Sequence, residues 1–94
     1  MIPSFGTSDT ERIWNGDQSR RFPVDLQKHA RRRMLLLEAA ETLDDLRNLP
    51  GNRLHALTKD RAGQHSISIN KQYRICFVWK DGDAYDVELV DYHD

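Results

Sequence analysis

The spacing of apolar residues changes at Pro50-Gly51-Asn52 from a helical to a strand-like period, and this change constrains the fold more than any other feature. Before it, apolar residues recur at i, i+3 and i+4, which predicts one long helix from Pro23 to about Leu46. After it, apolar and polar residues alternate, as in strands with one buried face. The predicted strands are 66–69, 73–79 and 85–89.

The remaining elements complete an α+β arrangement. Residues 2–5 predict a short first strand, and the hydroxyl side chains of residues 7–10 predict the cap of a first helix that ends near Asn15-Gly16. Asp81-Gly82 predicts a tight hairpin between the last two strands. The order is therefore β-α-α-β-β-β: one domain over residues 1–94, with two N-terminal helices packed on a small, mainly antiparallel sheet. The predicted core contains Leu37, Leu43, Ile75, Phe77 and Leu89.

Length and composition exclude several classes of protein. A chain of 94 residues is enough for one small domain. The single cysteine, Cys76, excludes an internal disulfide and a cysteine-rich zinc site, so we expect no metal or cofactor. No apolar run approaches the roughly 20 residues that cross a bilayer, and the N-terminus lacks the basic and apolar regions of a signal peptide. We therefore expect a cytoplasmic protein without a membrane partner.

The net charge of −1 conceals an uneven distribution of charge along the chain. Residues 20–74 contain twelve Lys and Arg against six Asp and Glu, a net charge of +6, whereas residues 75–94 have a net charge of −5. A basic segment of this kind fits a polyanion-binding surface, because phosphate neutralisation supplies most sequence-independent affinity for nucleic acids. Two solvated surfaces of opposite sign that fold against each other explain the same distribution.

Two groups of polar residues stand out against the predicted strands. Arg74 interrupts an otherwise apolar strand, where it either faces solvent or is directed at a ligand. Asp91, Tyr92 and His93 follow the last strand, and His55 lies in the connection after the long helix. Histidine transfers protons near neutral pH, while tyrosine and aspartate can position it. A solvated chain end and a structural histidine are the alternative interpretations.

This set of residues suits metal-independent cleavage of RNA. The substrate's own 2′-hydroxyl is then the nucleophile, and the protein supplies a base, an acid and a cation for the phosphate. The chain has no Gly-rich phosphate loop, no nucleophile elbow and no histidine pair at metal-ligand spacing. Six basic residues are predicted to bind RNA: Arg31, Arg32, Arg53, Lys59, Arg61 and Lys71.

Four motifs in this order resemble the HigB-type toxins of the RelE/ParE superfamily of bacterial toxin–antitoxin modules. With the opening Met1-Ile2-Pro3-Ser4-Phe5, the resemblance covers essentially the whole chain. One position departs from the pattern, since Thr58 stands where some members have a lysine, and Lys59 follows it. The motifs are Leu54-His55-Ala56-Leu57, Arg61-Ala62-Gly63, Tyr73-Arg74-Ile75 and Asp91-Tyr92-His93.

The resemblance implies a RelE-like fold and ribosome-dependent cleavage of mRNA. The six basic residues are then expected to bind RNA or the ribosome. It also implies neutralisation by a HigA-like helix-turn-helix antitoxin, through which the toxin would act on operator DNA. By position, His55 matches the family's internal histidine and Arg74 its strand arginine, while residues 91–93 match the terminal catalytic trio, with His93 the most important.

Two other functions stay open. The same scaffold supports a ParE-like toxin that poisons gyrase without catalysis, although an inhibitor that only binds has no need of an acid–base trio. A generic interaction domain, with a basic segment that meets an acidic partner, needs no chemistry at all.

Overall fold

The computed structural model describes residues 1–92, in which three helices pack on one face of a four-stranded sheet. The strands follow the sheet in chain order, and every neighbouring pair is antiparallel. The predicted α+β class and mainly antiparallel sheet are confirmed. The helices are α1 (Ser8–Trp14), α2 (Val24–Ala39) and α3 (Leu43–Arg47), and the strands are β1 (His55–Ala56), β2 (His65–Ser68), β3 (Tyr73–Lys80) and β4 (Asp83–Asp91).

The prediction of one helix from Pro23 to Leu46 is wrong, because the helix ends at Ala39 and Ala40 is its C-cap. Ala40 has extended backbone (ψ 138°), and α3 begins three residues later, at Leu43, with its own capping box. The Thr42 hydroxyl accepts from the Asp45 amide, and the Asp45 carboxylate accepts from the Thr42 amide. These local bonds compete with continuation of the helix, so the protein has three helices among residues 1–92 rather than two.

Two segments of the predicted sheet also differ. Residues 2–5 do not form a regular strand; Phe5 makes a single parallel bridge to Val87 on β4. The Gly6 amide donates to the Val87 carbonyl, and the Val87 amide donates to the Ser4 carbonyl. His55, which the sequence places in a connection, lies in the short strand β1 at the opposite edge of the sheet.

The hairpin between β3 and β4 forms at Asp81-Gly82 as predicted. Both residues have positive φ (52° and 82°), which this two-residue turn requires. The alternation along β4 is interrupted by a bulge at Asp86, whose φ is also positive (53°). The bulge moves Tyr85 off the face that Val87 and Leu89 share, and Ala84 is buried in its place.

The core lies between the helices and one face of the sheet. Four of the five residues predicted to be buried are buried: Leu37, Ile75, Phe77 and Leu89. The fifth, Leu43, is partly buried at the start of α3. The Leu89 amide donates to the buried Thr10 hydroxyl, which joins β4 to α1.

No helix within residues 1–92 has the length and apolar character needed to cross a membrane.

Candidate active site

The face of the sheet opposite the helices carries a row of polar side chains. Residues paired across antiparallel strands project to the same face, so the register aligns His55, Ser66, Cys76 and Glu88. Arg74 lies two residues from Cys76 along β3 and therefore shares this face. The strand alternation that buries Ile75 and Phe77 under the helices thus directs Arg74 away from the core.

Hydrogen bonds hold the Arg74 guanidinium in one orientation. Its Nε donates to the Ser66 hydroxyl at 2.7 Å, and its Nη2 donates to the Arg53 carbonyl at 2.7 Å. Partial burial lowers the pKa of Arg74, and the positive charge of Arg53 acts in the same direction. Within residues 1–92, Nη1 donates no hydrogen bond to the protein. The arginine is a preorganised cation rather than a solvated surface side chain.

A cleft of about 370 Å³ opens beside this guanidinium. His55 and Tyr92 line it together with Arg53, Leu54 and Arg74. His55 and Tyr92 are both exposed. Three residues predicted for catalysis, from β1, β3 and the chain after β4, therefore meet in one place.

Asp91 is placed differently from the rest of the predicted catalytic set. It pairs with Tyr73, whose ring packs edge-on against Phe22, so its side chain lies on the helical side of the sheet. The Asp91 carboxylate accepts from the Gln72 side chain at 3.1 Å, and the Tyr92 amide donates to the Gln72 carbonyl at 2.6 Å. Gln72 thus fixes the end of β4 to the turn between β2 and β3. His93 lies outside the described residues.

The six basic residues predicted to bind RNA or the ribosome occupy three regions. Arg53 lines the cleft, and Lys71 lies beyond it in the β2–β3 turn. Lys59 and Arg61 belong to a short 3-10 turn after β1, where Arg61 pairs with Glu88 at 3.4 Å. The last two, Arg31 and Arg32, lie on α2 and do not line the cleft; Arg31 stacks over Trp14 of α1.

Two residues that support the site, Ser66 and Gln72, are not among those predicted from the sequence. Ser66 orients Arg74, and the alternating Ser66-Ile67-Ser68-Ile69 pattern already indicates that its hydroxyl faces away from the core. Gln72 fixes the chain end through contacts that no sequence pattern indicates. Among residues 1–92, no group of three or more His, Cys, Asp or Glu is arranged to hold a metal ion.

Comparisons with known proteins match nearly the whole chain. The sequence profile of a family described as "RelE-like toxin of type II toxin-antitoxin system HigB" matches residues 4–93. The chain is 38% identical over 90 residues to "Toxin HigB-1" of Vibrio cholerae, covering 95% of each chain. It is 29% identical over 93 residues to "Endoribonuclease HigB" of Proteus vulgaris, covering 99% of this chain and all of the relative.

The resemblance found in the motifs is thereby confirmed. An antitoxin partner accompanies membership of a type II toxin–antitoxin family. From its sequence profile, its relatives and its helix-on-sheet fold, this chain belongs to the HigB-like family of RelE-like toxins.

Proposed function

We propose that this protein is an endoribonuclease that cleaves mRNA on the ribosome and thereby stops translation and growth. The observation that carries the proposal is the fixed Arg74 guanidinium, which lines one cleft together with His55 and Tyr92. The name of the Proteus vulgaris relative, which the chain matches along nearly its whole length, supports the same activity.

In the proposed reaction the 2′-oxygen of the RNA attacks the adjacent phosphorus while a base takes its proton. The bond from phosphorus to the 5′-oxygen breaks, and an acid protonates the departing oxygen. The products are a 2′,3′-cyclic phosphate and a 5′-hydroxyl, so no other reactant is consumed. His55 and His93 are the two proton carriers, one acting as base and the other as acid. Arg74 stabilises the negative charge that develops on the phosphate oxygens.

The residues beside His93 position it rather than transfer protons. Asp91 and Tyr92 are both bonded to Gln72, and this anchors the chain immediately before His93. Tyr92 also borders the cleft, where it would contact the RNA. No metal ion or cofactor enters the proposed reaction.

We further propose that the antitoxin partner is of the HigA-like helix-turn-helix type, and that the toxin contacts operator DNA only through it. Arg53 lines the cleft and Lys71 the turn beside it, and these two residues, with Lys59 and Arg61 of the 3-10 turn, would contact RNA and ribosome. The place of action is the cytoplasm, where ribosomes translate mRNA.

The test is primer-extension mapping of transcripts after a short pulse of expression in a bacterial host. The wild-type protein should produce new 5′ ends within translated messages, and coexpression of the neighbouring antitoxin should suppress them. Growth arrest without new ends would contradict the nuclease and favour a gyrase poison. Unchanged growth would contradict any toxin.

Arg74 variants connect that test to the cleft. Arg74→Ala should lower the cleavage rate by about 10²–10³-fold, which is typical for loss of one transition-state donor. Arg74→Lys keeps the charge but loses the planar fork, so it should be impaired as well. The matched control is Lys80→Gln, which removes an exposed cation at the far end of the same strand and should leave cleavage unchanged.

A further inference from the structure

A second cavity adjoins the cleft on the side of the β2–β3 turn. Its volume is about 330 Å³, and Arg53 lines both cavities. Three of the lining side chains are cations and none is a carboxylate. The lining residues are Arg33, Gly51, Arg53, Ser68, Ile69, Asn70 and Lys71.

Arg33 is held at this cavity by a buried side chain. Asn52 is completely buried; its Nδ2 donates to the Leu46 carbonyl at 3.1 Å, and its Oδ1 accepts from Arg33 Nη1. Because the amide is bonded on both sides, the Arg33 guanidinium is fixed although it comes from α2, 19 residues earlier in the chain. The second terminal nitrogen of Arg33, Nη2, lies beside Gly51, only 3.3 Å from where a Cβ on that glycine would stand.

This arrangement brings like charges together without a counter-charge from the protein. Within residues 1–92, Arg33, Arg53 and Lys71 form no ion pair with a carboxylate. Cations that line one concave surface raise the local concentration of anions, and an arginine already held by a neutral amide loses little freedom on binding one. The chemistry of the cavity is therefore that of a phosphate site.

We propose that this cavity is a second phosphate subsite, which holds the backbone of single-stranded RNA next to the phosphate at Arg74. The identity of the anion as RNA rests on the proposed nuclease function. Arg53 lines both cavities, so a ligand with consecutive phosphates can occupy them together, whereas a lone anion would need only one. Contacts to phosphate fix the register of the strand without reading its bases.

The experiment measures binding of the full-length protein to a short single-stranded 2′-O-methyl oligoribonucleotide, by fluorescence anisotropy over a range of salt concentrations. The 2′-O-methyl groups remove the nucleophile, so binding is measured without cleavage. Arg33→Gln and Lys71→Gln should each weaken binding about tenfold at low salt, irrespective of base sequence. Each should also reduce the slope of log K against log salt by about 0.7, the value for one phosphate contact on a single strand.

Two variants make the result independent of folding. Arg33→Gln removes a donor from buried Asn52 and can destabilise the protein, whereas Lys71 is exposed in a turn and Lys71→Gln leaves the core intact. The matched control is Arg20→Gln, which removes an exposed arginine that lines neither cavity.

The subsite would be overturned if Lys71→Gln kept the wild-type affinity and salt slope, or if it lost no more affinity than Arg20→Gln. Absence of binding by the wild-type protein would overturn it as well. Failure of the nuclease proposal is a separate result: the wild type would then bind the oligonucleotide with the predicted losses in the variants yet cut no ribosome-bound mRNA.

Discussion

Arg74 and Ser66 are joined by a hydrogen bond of 2.7 Å from Nε to Oγ, and this contact determines the direction of the guanidinium at the cleft. The second anchor is the carbonyl of Arg53, a residue with left-handed backbone (φ 47°). Strained backbone of this kind is frequent at functional sites, where surrounding contacts hold it in place. The Arg74 guanidinium is thus oriented by Ser66 on β2 and by the backbone of Arg53, just before β1.

The first prediction concerns Ser66 as a positioning residue. Ser66→Ala removes the acceptor of the Arg74 Nε, so we expect the rate constant for cleavage to fall about tenfold while KM changes little. The unfolding free energy should decrease by only about 1 kcal/mol, the typical value for one hydrogen bond. Single-turnover cleavage and urea denaturation measure the two effects. A loss of stability with an unchanged rate constant would show that Ser66 is only structural.

The second prediction concerns His93. A general acid or base contributes about 10²–10⁴-fold to a rate, so His93→Gln should abolish toxicity. Growth after induction measures the effect, while circular dichroism and copurification with the antitoxin should match the wild type, since the proposed role of His93 is proton transfer and not folding. The substitution His29→Gln, at an exposed position on α2, is the control. Normal cleavage by a folded His93→Gln protein would remove His93 from the site.

The third prediction concerns the core under the sheet. Phe77 is completely buried among helix and strand residues, and Phe77→Ala should lower the unfolding free energy by about 3–5 kcal/mol. Leu49→Ala, at an exposed apolar position, should change it by less than about 0.5 kcal/mol. Chemical denaturation of both variants makes the comparison. Equal losses would contradict the placement of Phe77.

The fourth prediction concerns pH and His65. Burial lowers the pKa of His65, and the positive charge of Arg47 adds to this effect; its Nδ1 is buried without a hydrogen-bond partner among residues 1–92. As the pH falls below the ordinary value near 6.5, the unfolded chain takes up a proton that the folded protein does not. Stability should therefore decrease with falling pH in this range.

The substitution His65→Gln tests this origin of the pH dependence. The variant should lose part of the decrease in denaturation midpoint between neutral and mildly acidic pH. His29→Gln, which removes an exposed histidine, should keep the wild-type slope. A slope in His65→Gln identical to the wild type would assign the pH dependence to other groups.

The sequence predicts the parts of this fold that depend on local spacing. The alternation along β3 and the Asp81-Gly82 turn are each determined by neighbouring residues, and both appear as expected. The break at Ala40 was also predictable, since Thr42 and Asp45 have the spacing of a capping box. The apolar periodicity continues past the break and therefore concealed it.

The contacts that build the site depend on residues far apart in the chain. Arg74 receives its second anchor from a carbonyl 21 residues earlier, and Arg33 is held by Asn52, 19 residues later. Residue identities alone do not determine such pairs, because the register of β1 and the packing of α2 bring them together. The Asp86 bulge is of the same kind: its amide donates to the Ser4 hydroxyl, at the other end of the chain.

In the proposed reaction the RNA's own 2′-hydroxyl is the nucleophile, in a cleft built around Arg74. The most direct measurement compares two ribosome-bound mRNAs that differ only by a single 2′-deoxy substitution at the mapped cleavage nucleotide. We expect the wild-type protein to cut the unmodified message, leaving a 2′,3′-cyclic phosphate and a 5′-hydroxyl, and to leave the 2′-deoxy message intact at that position. Cleavage of the 2′-deoxy message at an equal rate, or products that end in a 5′-phosphate, would contradict it.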